Sequence, residues 1–91
     1  MSKRLEARVF GRVQGVFFRD STRQQAEHLG LGGWVRNEAD GSVSVVVEGP
    51  EDALQELAGY LEVGPRAANV VRVETDWRVA TGEFRGFRVR W

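Results

Sequence analysis

The sequence predicts a small α+β domain with its elements in the order β-α-β-β-α-β and a short extra strand at the end. Two patterns indicate this. Short stretches with an apolar side chain at every second position are typical of half-buried strands, and two longer stretches have apolar side chains at helical spacing. The 91 residues suffice for one domain, 1–91, and not for two.

The first strand and first helix are predicted within residues 5–29. Apolar and charged side chains alternate over 5–13, which predicts a strand with one face on a core. The alternation then breaks, and a helix is expected over about 21–29. Ser21 and Gln24 have the spacing of a capping box at its start, and Gly30 is a typical left-handed stop at its end.

A hairpin is predicted next, from two strands over residues 34–38 and 43–48. Between them stands Asp40-Gly41, a pair typical of two-residue turns. Valines alternate with polar residues in the second of these strands, which predicts that one of its faces is buried.

A second helix is expected to begin with Pro50 at its first position and to end at Gly64. Its buried stripe is predicted to be Leu54, Leu57, Ala58 and Leu61. A strand follows over 70–77, with Val71, Val73 and Trp77 on one face, and a terminal strand is expected over 87–91. This order is the ferredoxin-like split βαβ pattern, in which right-handed crossovers place two helices on one face of a mainly antiparallel sheet.

The composition excludes several classes of function. There is no cysteine, so disulfides, thiolate nucleophiles and cysteine-based zinc sites are excluded. Thirteen basic and thirteen acidic residues cancel, which argues against nonspecific nucleic-acid binding. No apolar stretch is long enough to span a membrane, and the N-terminus lacks the apolar core of a secretory signal. We therefore expect a cytoplasmic protein without a membrane or nucleic-acid partner.

The loop over residues 11–19 is the first candidate site, because it joins a strand to the N-terminus of a helix. Helix N-termini present unpaired N–H groups and partial positive charge, which favour anions. Gly15 permits close backbone approach, and Arg19 carries a planar fork suited to phosphate. A plain strand-to-helix turn with a surface arginine explains the same residues, and spacing alone does not decide between the two.

Asn37, near the end of the second strand, is the other candidate. Its amide donates and accepts hydrogen bonds at once, which suits holding a water molecule. An asparagine that helps the strand enter its turn is the simpler interpretation, and the strand pattern leaves its direction open. The one histidine, His28, stands at the end of a helix, and the sequence has no cluster of metal-ligating residues.

This shortage of acid–base groups constrains the substrate. A phosphomonoester expels an alkoxide, which usually requires a proton donor or a metal. An acyl phosphate expels a carboxylate, whose conjugate acid has a pKa near ~4, so it leaves unaided. Positive charge, amide donors and an oriented water suffice for that reaction.

Two segments carry a family resemblance that extends over essentially the whole chain. The acylphosphatase signature resembles residues 11–19, GRVQGVFFR, and the second motif of that family resembles residues 30–37, GLGGWVRN. The resemblance implies that Arg19 binds the substrate phosphate and Asn37 orients the attacking water, with no cofactor, no metal and no phosphoenzyme, in a monomer. The phosphate-binding residues it implies are Gln14, Gly15, Val16, Phe17, Phe18 and Arg19.

Three alternatives stay open at this point. One is the carbamoyl-phosphate module of hydrogenase-maturation proteins, although those continue into cysteine-rich zinc modules. A second is a ferredoxin-like nucleic-acid-binding domain, for which Phe10 and Trp34 would be the exposed sheet aromatics. A third is a phosphate-sensing regulatory domain without catalysis. We also expect the carboxylate of Trp91 to approach the Arg19 loop.

Overall fold

The computed structural model describes residues 2–91, which form one five-stranded sheet and two helices. The elements are β1 (Ser2–Arg12), α1 (Phe18–His28), β2 (Gly32–Asn37), β3 (Val43–Pro50), α2 (Glu51–Leu61), β4 (Asn69–Val79) and β5 (Phe87–Arg90). The strand order is β4-β1-β3-β2-β5, and every neighbouring pair is antiparallel except β2 and β5. The predicted fold class is confirmed.

The core lies between the helices and one face of the sheet. Antiparallel register places Leu5 opposite Val47 and Val9 opposite Val43, and all four side chains are fully buried. The helices cover this face with Leu54, Leu57 and Leu61 from α2 and with Thr22 and Ala26 from α1. The period-two alternation of the strands therefore marks which face meets the helices.

The opposite face of the sheet carries charged side chains and two aromatic rings. The guanidinium of Arg72 lies 4.1 Å from the ring centroid of Phe10. Those of Arg36 and Arg90 each lie 4.9 Å from the ring of Trp34. Since the protein's own arginines already occupy these rings, they are poor platforms for stacking bases.

Helix α1 begins at Phe18, three residues earlier than the capping-box pattern predicts. The residue before it, Phe17, adopts a left-handed conformation with φ 62° and ψ 23°, which turns the chain directly into the helix. No side chain caps this end, and Ser21 lies within the helix, where its hydroxyl is hydrogen-bonded to that of Tyr60 on α2. The capping-box prediction is wrong, because the turn is made by backbone conformation and not by a side chain.

The end of α1 is as predicted. Gly30 has φ 72°, and the N–H of Leu31 donates to the carbonyl of Ala26 at 2.9 Å, as in a Schellman motif. The start of α2 is shifted by one residue, since Pro50 ends β3 and caps the helix from outside instead of taking its first position.

The β2–β3 hairpin is closed by a three-residue loop and not by two residues. The N–H of Glu38 donates to the carbonyl of Ser42 at 2.8 Å, and the N–H of Gly41 donates to the carbonyl of Glu38 at 3.1 Å. Gly41, at φ 93°, takes the left-handed position that such loops require. Asp40 accepts the N–H of Ser42 instead of occupying a tight two-residue turn.

A bulge in β4 overturns the prediction that Val71 shares a face with Val73 and Trp77. The register with β1 shifts between Phe10 and Gly11, so Val71 has no partner and its side chain is exposed. At Gly11, φ is 126°, and a Cβ there would lie 2.2 Å from the carbonyl oxygen of Asn69. A glycine is therefore needed where the bulged strand approaches.

The loop between β4 and β5 is anchored by the buried carboxylate of Glu48. The N–H groups of Thr81 and Gly82 each donate to it at 2.9 Å, and so does the guanidinium of Arg4. Burial acts to raise the pKa of Glu48, but these donors outweigh it and lower the pKa to about 2. The anchor fixes the chain just before β5, the strand that ends beside the candidate site.

We expect Glu48→Gln to destabilise the fold by roughly 1–3 kcal/mol at pH 7, since it weakens several charge-assisted hydrogen bonds. The lowered pKa means that this stabilisation is complete above the usual value of about 4.5 and is lost as the pH falls towards 2. Denaturant unfolding at pH 7 and pH 3 measures both effects, with the exposed Glu56→Gln as control. An equal deficit of the Glu48 variant at both pH values would contradict this account.

Candidate active site

The loop before α1 contains two residues with positive φ and leads to backbone amides without helical partners. Gly15 and Phe17 both have positive φ, at 74° and 62°. The first hydrogen bond of the helix runs from the N–H of Ser21 to the carbonyl of Phe17 at 3.0 Å. The amides of residues 18–20 therefore precede the helical hydrogen bonds and can donate to an anion. The partial positive charge of the helix N-terminus adds to this preference.

This loop opens into a cavity of about 360 Å³. The cavity is lined by Val13, Gly15, Phe17, Phe18, Arg19, Asp20, Asn37, Val89 and Trp91. The two candidate residues from separate motifs, Arg19 and Asn37, thus reach the same space. The sequence pattern could not show whether these two residues meet. Their meeting in one cavity favours a functional site over a plain strand-to-helix turn, which does not require it.

Arg19 lies in the first turn of α1 with its guanidinium 4.0 Å from the ring centroid of Trp91. Within residues 2–91, its side chain makes no hydrogen bond or ion pair, so its donors remain available to an anion. The sequence analysis predicts that the carboxylate of Trp91 approaches the Arg19 loop. The contact with Arg19 that the structure shows is made instead by the indole ring of Trp91. Stacking of this kind restricts the guanidinium without using its N–H groups.

Asn37 points toward the helices, which settles the direction that the sequence left open. It is paired with Val43 and lies on the same side of β2 as the buried Val35. Its Oδ1 atom is buried and has no hydrogen-bond partner among residues 2–91. A buried acceptor without a partner costs about 1–3 kcal/mol, and the side chain that carries it also lines the cavity.

Gln14 and Val16, both implied as phosphate-binding, do not line the cavity. The side-chain amide of Gln14 donates to the carbonyls of Glu38 and Ser42, at 2.8 and 2.9 Å. It thereby ties the loop to the hairpin that begins right after Asn37. Val16 is buried in the core. The side chains of these two residues hold the loop in place, a role that only long-range contacts disclose.

Asp20 is a lining residue that sequence analysis missed. Arg23 donates to its carboxylate at 2.8 Å and Gln24 at 2.9 Å. The hydrogen bond from Arg23 lowers the pKa of Asp20, so this carboxyl stays ionised at neutral pH and does not serve as a proton donor. Arg23 and Gln24 stand three and four residues after Asp20 on the helix, and this spacing is the sequence signal that could have predicted both pairs.

Residues 2–91 contain no group of three or more histidine, aspartate or glutamate side chains placed to hold a metal ion. Neither helix in that range has the length and apolar character needed to cross a bilayer.

Comparison with known proteins settles the family. The family model described as Acylphosphatase matches residues 5–89, nearly the whole chain. The chain belongs to the acylphosphatase family. It is 54% identical over 88 residues to an acylphosphatase of Salinibacter ruber, with 97% of this chain and 93% of that protein covered.

Solved structures of acylphosphatases share the fold over nearly their full length. The acylphosphatase of Bacillus subtilis superposes with a TM-score of 0.94 at 31% identity, covering 98% of this chain and 99% of that one. That of Coxiella burnetii gives a TM-score of 0.91 at 39% identity, with 98% and 93% covered. The predicted family and the prediction of an acylphosphatase enzyme are confirmed, and the nucleic-acid-binding and phosphate-sensing alternatives are not favoured.

Proposed function

We propose that this acylphosphatase cleaves the carboxyl–phosphate anhydride bond by direct in-line attack of a water held by Asn37 on a phosphate held by Arg19. The observation that carries the proposal is the shared cavity. It joins a free guanidinium, a helix N-terminus with unpaired amides and a buried amide oxygen without a partner.

Phosphate binding falls to Arg19 and to the amides at the start of α1. The guanidinium offers a bidentate fork to two phosphate oxygens, and the amides of residues 18–20 offer donors from the other side. These donors are fixed before the substrate arrives. They stabilise the charge on the phosphoryl oxygens in the transition state without a cost of reorganisation.

Positioning of the water falls to Asn37, because its side chain lines the cavity and its amide can both donate and accept hydrogen bonds. The water oxygen forms a new bond to phosphorus while the bond from phosphorus to the acyl oxygen breaks. The electron pair of that bond leaves with the carboxylate, and one proton of the water is released to solvent. An amide does not remove the proton, so its contribution is to orient the water.

The leaving group requires no acid from the protein. A carboxylate is stable at neutral pH, since its conjugate acid has a pKa near ~4. Within residues 2–91, the cavity offers no proton donor for the leaving group. The ionisable side chains that line it are Arg19 and Asp20, and Asp20 is held ionised by Arg23. A phosphomonoester, whose alkoxide needs a proton, is a poor substrate for the same site.

Hydrolysis of benzoyl phosphate, compared with that of a simple phosphomonoester in excess EDTA, tests the proposal. We expect rapid cleavage of benzoyl phosphate that EDTA does not affect, and no measurable cleavage of the monoester. Loss of activity with EDTA, or comparable rates on the two substrates, would contradict it. A monomeric state, a cytoplasmic location and the absence of a nucleic-acid partner stay predictions.

A further inference from the structure

Phe17 combines three features that packing does not explain. Its side chain is 83% exposed, although phenylalanine is usually buried. Its backbone is left-handed, the conformation that glycine and asparagine adopt most readily and a bulky residue adopts at a cost. Its side chain also lines the cavity that holds Arg19 and Asn37.

The backbone role of this position does not need an aromatic ring. A left-handed turn before α1 would form with glycine or asparagine at lower cost, and the same amides would then face the phosphate. The ring also contributes nothing to the core, which is built from other buried residues. A ring kept at the mouth of the cavity therefore has its use in contact with something that enters the cavity.

We infer that Phe17 is the contact for the acyl portion of the substrate and that the protein favours acyl phosphates with an aromatic or other bulky apolar acyl group. This inference rests on the proposed function. The cavity of about 360 Å³ has apolar walls from Val13, Phe18 and Val89 beyond the polar groups that a phosphate needs. An acyl group bonded to that phosphate projects from it into this apolar space, with the ring of Phe17 exposed beside it.

Trp91 is the second exposed aromatic at the cavity, but its ring already lies on Arg19. A change there would alter phosphate binding along with any acyl contact. Phe17 is the better position for mutation, because two other residue types can take its backbone conformation. Asparagine and glycine both tolerate positive φ, so the loop retains its shape while the ring is lost.

The test measures kcat/KM for benzoyl phosphate and for acetyl phosphate in the wild type, Phe17→Asn and Phe17→Gly. The ratio of the two values corrects for any general damage to the loop, because both substrates carry the same phosphate. We expect this ratio to fall about 5- to 10-fold in both variants, the range expected for loss of an aromatic contact. The control is Val79→Asn, which replaces an apolar side chain that is 86% exposed and does not line the cavity.

The outcomes separate this inference from the proposed function. If the wild type hydrolyses neither substrate, the proposed function fails. If it hydrolyses both and the ratio is the same in the wild type and the Phe17 variants, the function stands and the acyl contact is overturned. An equal fall of the ratio in Val79→Asn would also overturn it, since the effect would not be specific to the cavity.

Discussion

Replacing Arg19 with alanine is expected to lower kcat/KM for acyl phosphates by ~100–1000-fold, the usual effect of losing one charge-stabilising contact. Both binding and turnover should suffer, because the proposed role of the guanidinium is to hold the phosphate in the ground state and in the transition state. Its ring contact with Trp91 would be lost as well, but neither residue belongs to the buried core. Steady-state kinetics with benzoyl phosphate, and inhibition by inorganic phosphate, measure the two effects.

Arg85→Ala is the matched control, since Arg85 is exposed in the loop before β5 and does not line the cavity. It should behave as the wild type. Arg19→Lys keeps the charge but loses the planar fork, so we expect it to recover only part of the activity. Near-normal kinetics of a folded Arg19→Ala protein would contradict the assigned role.

Replacing Asn37 with alanine is expected to lower kcat by ~100–1000-fold while inhibition by inorganic phosphate changes little. The reason is that the proposed mechanism assigns the water to the side chain of Asn37 and the phosphate to Arg19 and the helix amides, all of which line one cavity. The fold should survive, because Asn37 lies at the end of β2, where the hairpin is closed by backbone hydrogen bonds of its neighbours.

The control for this variant is Asn69→Ala, at an exposed position where β4 begins. It should leave kcat unchanged. If Asn37→Ala instead weakened phosphate binding as much as it lowered kcat, Asn37 would be a phosphate ligand and not a positioning group for water.

The fold was predictable from local patterns wherever one face of an element meets the core. Alternation in β1 and β3 and the apolar stripe of α2 follow directly from burial, and Gly30 marks the end of α1 because its conformation is rare for other residues. The start of α1 was not predictable, since a left-handed phenylalanine leaves no capping signal. The bulge at Val71 depends on how β4 meets β1, which the sequence of β4 alone does not encode.

The site was predictable in its residues and not in its geometry. Arg19 and Asn37 could be singled out by their chemistry and by family resemblance. That they share a cavity depends on α1 packing beside the end of β2, and that Asn37 faces the helices depends on its pairing with Val43. The tie from Gln14 to the hairpin spans 24 and 28 residues of sequence, beyond the reach of any local pattern.

Hydrolysis of benzoyl phosphate in water enriched in oxygen-18 tests the central claim most directly. If a water held by Asn37 attacks phosphorus, the inorganic phosphate gains one labelled oxygen and the benzoate gains none. Label in the benzoate would show that water attacks the carbonyl carbon, and the assigned roles of Arg19 and Asn37 would then be wrong.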